Sequence, residues 1–230
     1  METSPAIFQI AIDGPSGSGK STMARRLAAA LGIGYLDTGA MYRALGFAAL
    51  RRGIRPSDPT EVEIMLQDVE LDVSFADGCQ QTLIDGEDVS PFIRTPDVSM
   101  AASDISALPA VRGFCVEKQR RIGETNAMVL DGRDIGTYVL PDADLKFFLT
   151  AGDDVRAGRR YLDLVKAGVS VDMNDVLHDL RVRDRQDSTR ELAPTLAASD
   201  AILIDTSELS EDQVFDLMLR HCAARGLTRG

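Results

Sequence analysis

The chain has 230 residues, of which 44% are hydrophobic and 27% charged, a composition typical of a globular protein large enough to bury its own core. Its 36 acidic and 25 basic side chains give a net charge of −11, which argues against a nucleic-acid coat protein or a binder of anionic membranes. Residues 1–5 carry no cluster of positive charge, and the apolar run after them is too short for a signal peptide or a membrane span, so we expect a cytoplasmic protein. The sequence shows no extended hydrophobic face, which favours a monomer. Its three cysteines lack metal-ligand spacing and are predicted to be free, buried thiols.

The first predicted element is a buried strand over residues 7–12, which leads directly into a glycine-rich loop. The loop matches the phosphate-binding pattern in full, with Gly14, Pro15, Ser16, Gly17, Ser18, Gly19, Lys20 and Ser21 in order. After it, Met23, Leu27, Ala28 and Leu31 form one face of a helix that ends at Gly32. Such a unit directs backbone N–H groups at a polyphosphate, while Lys20 supplies a charge and Ser21 a hydroxyl for Mg²⁺. We therefore predict a polyphosphate site here.

Four further apolar runs are short and nearly continuous, which is typical of strands buried on both faces of a parallel sheet. They are residues 34–36, 127–130, 145–149 and 201–204. Together with the first strand they predict a five-stranded parallel core covered by helices.

Residues 69–84 follow a different pattern. Apolar and polar residues alternate strictly over 69–75, the turn signal Asp77-Gly78 follows, and a second run covers 79–84 before Asp85-Gly86. This pattern predicts a small antiparallel sheet with one solvent-facing side. A helix with a capping box at 60–63 and a segment punctuated by prolines over 91–109 bracket it, so we expect an insertion of about forty residues.

A second segment outside the core covers residues 152–168. Asp153 and Asp154 can cap a helix there, on which Arg156, Arg159 and Arg160 share one face. Taken alone, such a charge run is typical of a solvated surface helix. Together with a phosphate-binding loop, it favours a lid that folds over a triphosphate.

Polar clusters follow the predicted strands, at the sheet edge where ligands bind in open parallel sheets. Two clusters are residues 37–43 and 131–134, and a third comprises Arg183, Asp187 and Arg190 at helical spacing. For the third, the alternative is a ladder of ion pairs within one helix, because Asp179, Asp184 and Glu191 lie close to the same arginines in sequence.

Together these motifs resemble those of the bacterial-type cytidylate kinases, within the nucleoside monophosphate kinase family. The resemblance spans nearly the whole chain and is carried by segments 12–21, 36–43, 85–89, 93–95, 131–137 and 183–190, together with the antiparallel insertion. The phosphate-binding loop alone marks only a superfamily, whereas the insertion, Asp-Thr-Gly-Ala-Met-Tyr-Arg at 37–43 and Asp-Gly-Arg-Asp at 131–134 narrow it to this family. Thr38 stands where the family more often has serine, and the hydroxyl is kept.

The resemblance implies an α/β fold of the P-loop nucleoside triphosphate hydrolase type, with a five-stranded parallel sheet flanked by helices in one domain over 1–230. A small antiparallel β insertion over 60–108 would bind the acceptor, and a helical lid over 152–170 would cover ATP. The implied reaction is ATP + CMP or dCMP giving ADP + CDP or dCDP, with Mg²⁺. By the same resemblance Ser103, Arg112 and Asp134 read the base, and the ribose region meets Arg183 and Asp187.

Bringing a triphosphate against a monophosphate requires cations from several segments of the chain. The predicted catalytic residues are Lys20, Arg133, Arg159 and Arg190. The predicted ATP-binding residues are Gly14 to Ser21 with Thr22, Arg156 and Arg160. The predicted metal ligand is Ser21, and Asp131 is predicted to contact the ligands of the ion rather than the ion itself. The predicted CMP-binding residues are Thr38, Tyr42, Arg43, Ser103, Arg112, Arg133, Asp134, Arg183, Asp187 and Arg190. No histidine or cysteine lies in a motif, which favours direct in-line transfer.

Two alternatives stay open at this point. One is a kinase for another acceptor, such as UMP, AMP or a small metabolite. The other is a nucleotide-switched regulatory protein, but the Asn-Lys-x-Asp and Asp-x-x-Gly motifs of GTPase switches do not occur in the sequence.

Overall fold

The structure is a computed structural model that describes residues 7–76 and 79–228. Its strands are β1 (Gln9–Asp13), β2 (Gly34–Asp37), β3 (Leu71–Ala76), β4 (Cys79–Ile84), β5 (Glu87–Asp88), β6 (Met128–Asp131), β7 (Leu145–Thr150) and β8 (Ile202–Asp205). Its helices are α1 (Lys20–Leu31), α2 (Thr38–Arg51), α3 (Pro59–Asp68), α4 (Pro96–Ser106), α5 (Pro109–Thr125), α6 (Asp153–Lys166), α7 (Met173–Thr189) and α8 (Glu211–Ala224). One turn of π-helix covers Ile135–Val139.

The core is a five-stranded parallel sheet in the order β2-β6-β1-β7-β8. Its strands coincide with the five apolar runs of the sequence, so the predicted core is confirmed. Because side chains alternate along a strand, Ile10 and Ile12 pack into one apolar cluster with Leu27 of α1. Ala11 belongs to a second cluster, with Met41 of α2. Burial on both faces explains why the strands read as continuous apolar runs.

Three carboxylates end neighbouring strands of this sheet. Asp37 of β2 lies in register with Asp131 of β6, and Asp131 lies in register with Ile12 of β1, one residue before Asp13. All three therefore lie at the same edge, where the polar clusters were predicted.

The predicted antiparallel sheet is confirmed as β3-β4-β5, with Leu71 opposite Ile84. The Asp77-Gly78 turn lies outside the described residues. Between β4 and β5, Asp85 and Gly86 have positive φ angles of 51° and 81°, which gives the tight turn that their sequence favours.

The helix that precedes this sheet is present, but its predicted capping box is wrong. Asp58 is the cap residue, and its carboxylate accepts from the backbone N–H groups of Thr60 and Glu61 at 3.0 and 3.1 Å. An aspartate at the cap followed by Pro59 in the first turn is a stronger start signal than Thr60, which lies inside the helix.

Two helices that were not predicted, α4 and α5, begin within the segment punctuated by prolines. Pro96 begins α4 and Pro109 begins α5, so these prolines start helices rather than interrupt them.

The predicted helix of the second segment is confirmed as α6, which packs against α7 around Ala157, Leu164, Val176 and Leu180. The predicted caps are wrong. Gly152 precedes the helix and offers no side-chain cap. Asp153 and Asp154 lie in the first turn, where their negative charges interact favourably with the positive end of the helix dipole.

All three cysteines are free, as predicted. Cys115 and Cys222 are buried, but Cys79 is exposed at the start of β4, so the prediction of burial is wrong for that residue. Among the described residues, no helix has both the length and the apolar character needed to cross a membrane.

Candidate active site

The phosphate-binding loop joins β1 to α1 and passes too close to its neighbours for larger residues at two positions. A Cβ on Gly14, at φ +141°, would lie 2.0 Å from the carbonyl oxygen of Leu149. A Cβ on Gly17, at φ +75°, would lie 2.7 Å from the carbonyl oxygen of Arg156. Glycine is required at both for backbone conformation and for space.

Lys20 begins α1 and is 6% exposed. Its Nζ donates to the carbonyl oxygen of Pro15 at 2.7 Å. Burial, and then repulsion from Arg133, lower the pKa of Lys20 to about 7, against the opposing pull of Asp131. A polyphosphate beside this side chain would therefore stabilise a charge that the protein alone stabilises only in part.

Ser21 and Asp131 offer hard oxygen atoms beside the loop. The Ser21 hydroxyl donates to Asp131 Oδ2 at 2.7 Å, and the Tyr35 hydroxyl donates to Oδ1 at 2.9 Å. Burial and the neighbouring Asp37 raise the pKa of Asp131. No group of three or more His, Cys, Asp or Glu placed to hold a metal occurs within residues 7–76 and 79–228. These residues suit Mg²⁺ that takes most of its ligands from phosphates and water, rather than a protein cage.

Asp13 fixes the chain after β6. Its Oδ1 accepts from the backbone N–H of Ile135 and its Oδ2 from that of Gly136, both at 2.7 Å. Burial raises the pKa of Asp13 to about 7, although these two donors act in the opposite direction. The contact holds the turn that carries Arg133 and Asp134.

Asp37 holds two arginines and the start of α2. Its Oδ1 accepts from the backbone N–H of Ala40 at 2.9 Å, and its Oδ2 accepts from Arg43 at 2.8 Å and Arg94 at 3.0 Å. Burial acts to raise the pKa of Asp37, but the two guanidinium groups outweigh it and the pKa is lowered. The next residue, Thr38, donates its hydroxyl to the carbonyl oxygen of Asp131 at 2.7 Å.

Arg112 is 1% exposed and lies between two aromatic rings, with its guanidinium carbon 5.8 Å from the centre of Tyr42 and 5.6 Å from that of Tyr138. It donates through Nη2 to Asp134, whose other oxygen accepts from Arg190 at 3.0 Å. Within the described parts of the chain, Nε and Nη1 of Arg112 have no acceptor. An arginine buried with two unpaired donors suggests that a ligand completes its bonding.

Helix α7 supplies partners for the turn after β6. Arg133 Nε donates to Asp187 Oδ2 at 2.9 Å, and the attraction of Asp187 outweighs burial and raises the pKa of Arg133. Arg183 is half-buried, and its desolvation together with repulsion from Arg133 lowers its pKa to about 10. No ion pair joins two residues of α7 in the described chain, so the predicted alternative of an intrahelical ladder is not supported.

The three arginines of α6 have different surroundings. Arg156 is buried and donates to the Ser16 carbonyl oxygen at 3.0 Å and to Asp184 of α7. Arg159 donates twice to Thr206, at 2.9 and 2.7 Å. Among the residues that the structure describes, Arg160 makes only a 3.5 Å contact with a serine hydroxyl, and burial followed by repulsion from a neighbouring arginine lowers its pKa. Arg156 thus joins α6 to the loop, whereas the Arg160 guanidinium is the least engaged of the three.

Most of these groups line one cavity of about 460 Å³. Its cationic residues are Lys20, Arg25, Arg43, Arg94, Arg112, Arg133, Arg159, Arg160, Lys166, Arg183 and Arg190. Its carboxylates are Asp37, Asp131, Asp134, Asp163, Asp187 and Glu211. Cations predominate here although the chain as a whole has a net charge of −11, so the cavity is suited to polyanions.

Most predicted site residues lie on this cavity wall, including Tyr42, Ser103 and every predicted arginine except Arg156. Gly14 and Pro15 also lie outside the wall. Four residues at or beside the site were not predicted from the sequence: Asp13, Arg94, Asp184 and Gln186. A signal was available for all of them, because they lie inside segments 12–21, 93–95 and 183–190, which carry the family resemblance.

Comparisons with known proteins agree with this geometry. A sequence profile described as cytidylate kinase matches residues 10–224. A cytidylate kinase of Caldicellulosiruptor bescii is 46% identical over 212 residues, which cover 92% of this chain and 94% of that protein. A bifunctional pantoate ligase/cytidylate kinase of Synechococcus elongatus is 49% identical over 223 residues, and the match covers 95% of this chain but only 42% of that longer protein.

Among solved structures, an uncharacterized protein from Eubacterium ventriosum has a similar fold, with a TM-score of 0.51 at 14% identity over 94% of this chain and 99% of that one. The profile match and the identity to full-length relatives confirm the resemblance seen in the sequence. This chain belongs to the cytidylate kinase family.

Proposed function

We propose that the protein transfers the γ-phosphoryl group of ATP to CMP or dCMP, giving ADP and CDP or dCDP. The observation that carries this proposal is a single cationic cavity that contains both the Lys20 loop and a second set of arginines around Asp134 and Asp187. Two anionic substrates can meet there, and the proteins that share this family profile are named for cytidylate.

The ATP phosphates would lie in the loop over residues 14–22, with Lys20 beside the transferred group. Arg159 and Arg160 extend from α6 into the same cavity, and Arg156 fixes that helix to the loop. The acceptor phosphate would lie against Arg43, Arg133 and Arg190, which come from three different segments. The acceptor ribose would meet Arg183 and Asp187, and the base would meet Ser103, Arg112 and Asp134.

Mg²⁺ would be held by the Ser21 hydroxyl, with Asp131 accepting through a water molecule. When bound, the ion would supply positive charge that offsets the negative charge developing on the transferred phosphoryl group.

The chain's own contribution is positioning and charge stabilisation. The loop and Lys20 hold the donor, while Arg133 and Arg190 place the acceptor oxygen in line with the γ-phosphorus. The insertion over 60–108 and the lid over 152–170 would close over the substrates and exclude water, which prevents hydrolysis of ATP.

An acceptor panel tests the proposal. With ATP and Mg²⁺, ADP release should be fastest with CMP or dCMP, slower with UMP, and slowest with AMP. Lys20→Ala should abolish transfer while circular dichroism stays unchanged, because the charge is needed mainly as the phosphoryl group moves. Fastest turnover on any acceptor other than CMP or dCMP would contradict the proposal.

The cytoplasmic location and the monomeric state remain predictions from the sequence. Sedimentation equilibrium of the purified chain checks the second of them.

A further inference from the structure

Gln186 of α7 connects two residues of α4 through its side-chain amide. Its Oε1 accepts from the Ser103 hydroxyl at 2.9 Å, and its Nε2 donates to Asp104 Oδ1 at 2.8 Å. Ser103 is 6% exposed and lies on the cavity wall, whereas neither Gln186 nor Asp104 lines the cavity. Gln186 therefore acts on the cavity only through Ser103.

The chemistry of Asp104 fixes the direction of this chain of hydrogen bonds. An ionised carboxylate only accepts, so the NH₂ end of the Gln186 amide must face Asp104 and its oxygen must face Ser103. The Ser103 hydroxyl then donates its hydrogen to Gln186, and the free lone pairs of the Ser103 oxygen can only accept hydrogen bonds. Ser103 consequently presents an acceptor to the cavity, not a donor.

The base-reading side of the cavity then has a defined polarity. Arg112 brings two buried donors without an acceptor in the described chain, and Ser103 brings an acceptor. The pairing edge of cytosine carries two acceptors, O2 and N3, and one donor, the N4 amine. Uracil has a carbonyl oxygen in place of that amine, so its O4 would face the Ser103 lone pairs.

We infer that Gln186 is a specificity-determining positioning residue, which selects a pyrimidine with an amine at position 4 by holding the Ser103 hydroxyl as an acceptor. This inference rests on the proposed function. A purely structural link between α4 and α7 is the competing explanation, and the two differ in what they predict for substrate choice.

Two substitutions at Gln186 separate these explanations. Gln186→Ala frees the Ser103 hydroxyl to rotate and donate to O4 of uracil, so the ratio of kcat/KM for CMP to that for UMP should fall about tenfold. Gln186→Glu still accepts the Ser103 hydrogen but loses the donor to Asp104, so it should lower thermal stability while the ratio stays within about twofold of the original. Arg185→Ala, an exposed neighbour on α7, is the matched control for both.

Two further variants test the same direction of bonding. Asp104→Ala removes the acceptor that orients the amide, and the ratio should fall as it does in Gln186→Ala. In a Ser103→Ala background, Gln186→Ala should cause no further change in the ratio.

An unchanged ratio in Gln186→Ala, or an equal fall in Gln186→Ala and Gln186→Glu, would overturn the inference and leave only a structural link. Failure of the original chain to phosphorylate CMP would instead overturn the proposed function itself.

Discussion

Lys20 has an unusual environment for a lysine. It is buried, it faces Arg133, and its pKa is lowered to about 7. Its one hydrogen bond in the described chain is to a carbonyl oxygen of its own loop. A bound triphosphate would bring negative charge next to the ammonium group and raise its pKa.

We therefore expect ATP binding to take up a proton at pH 8 but not at pH 6. At pH 8 Lys20 is mostly neutral before binding and charged after it, whereas at pH 6 it is charged in both states. Calorimetry in two buffers of different ionisation enthalpy measures this uptake, which should approach one proton per ATP at pH 8. Lys20→Met should remove it, and Lys166→Met, at the exposed end of α6, should keep it. Equal proton uptake in the two variants would contradict the assignment of the uptake to Lys20.

At the level of elements, the π-helical turn Ile135–Val139 depends on a carboxylate from another strand. Asp13 ends β1 and accepts both of its side-chain bonds from the first residues of that turn. Since burial raises its pKa to about 7, the folded protein binds a proton at Asp13 more tightly than the unfolded chain does. Its contribution to the free energy of unfolding is therefore greatest below the unfolded pKa and is lost as the pH rises through 7.

A comparison with Asp13→Asn isolates this contribution. The free energy of unfolding of the original chain, relative to the variant, should fall by about 3 kcal/mol between pH 5 and pH 8. Urea denaturation at the two pH values measures it. Asp142→Asn, which alters an exposed carboxylate, is the control and should show little change relative to the original chain. A relative stability of Asp13→Asn that does not depend on pH would show that the carboxylate stays ionised in the folded state.

The elements differ in how well sequence predicts them. The five core strands are predictable because burial on both faces leaves a continuous apolar run, and Gly32 marks the end of α1 through its left-handed conformation. Helices α4 and α5 escape prediction because Pro96 and Pro109 read as breaks. The cap of α3 is misassigned because Thr60 and Asp58 both fit a start signal.

In the candidate site, the sequence predicts which residue types occur and that they follow the strands. It does not predict which side chains form hydrogen bonds or ion pairs with each other. The phosphate-binding loop is recognisable because all the positions that its pattern fixes lie in one short, contiguous segment. Arg156 pairs with Asp184 on another helix, and Gln186 reaches Ser103 across 83 residues of sequence. Such pairs depend on how α4, α6 and α7 pack, which no local pattern encodes. The same reason explains why Asp134 was predicted as a base reader and not as a group that holds Arg112 and Arg190.

Across the whole molecule, negative charge predominates while arginines concentrate in the cavity. Arg156 connects α6 to the phosphate-binding loop and to α7, because it donates to the carbonyl oxygen of Ser16 and pairs with Asp184 as well as Asp153. Removing it would leave Asp184 partly buried without its partner and would detach α6 from the loop.

We expect Arg156→Met to lower the free energy of unfolding by about 3 kcal/mol, as when one partner of a buried ion pair is removed. Arg181→Met is the matched control, because Arg181 also pairs with Asp153 but is 59% exposed, and its loss should cost less than about 1 kcal/mol. Urea denaturation of both variants decides the matter. Similar losses would mean that Arg156 is no more important than a surface ion pair.

The position of Arg156 also sets the point about which a rotation of α6 would turn. The residue lies in the first turn of a 14-residue helix and fastens that end to the loop, so a rotation of α6 would have its fulcrum there. From Arg156 to Lys166 the helix is about 15 Å long, and a swing of about 15° would carry Lys166 roughly 4 Å. Arg159 lies one turn from this point and would shift by only about 1 Å. A rotation of α6 would therefore change the cavity wall at Lys166 and leave it almost unchanged at Arg159.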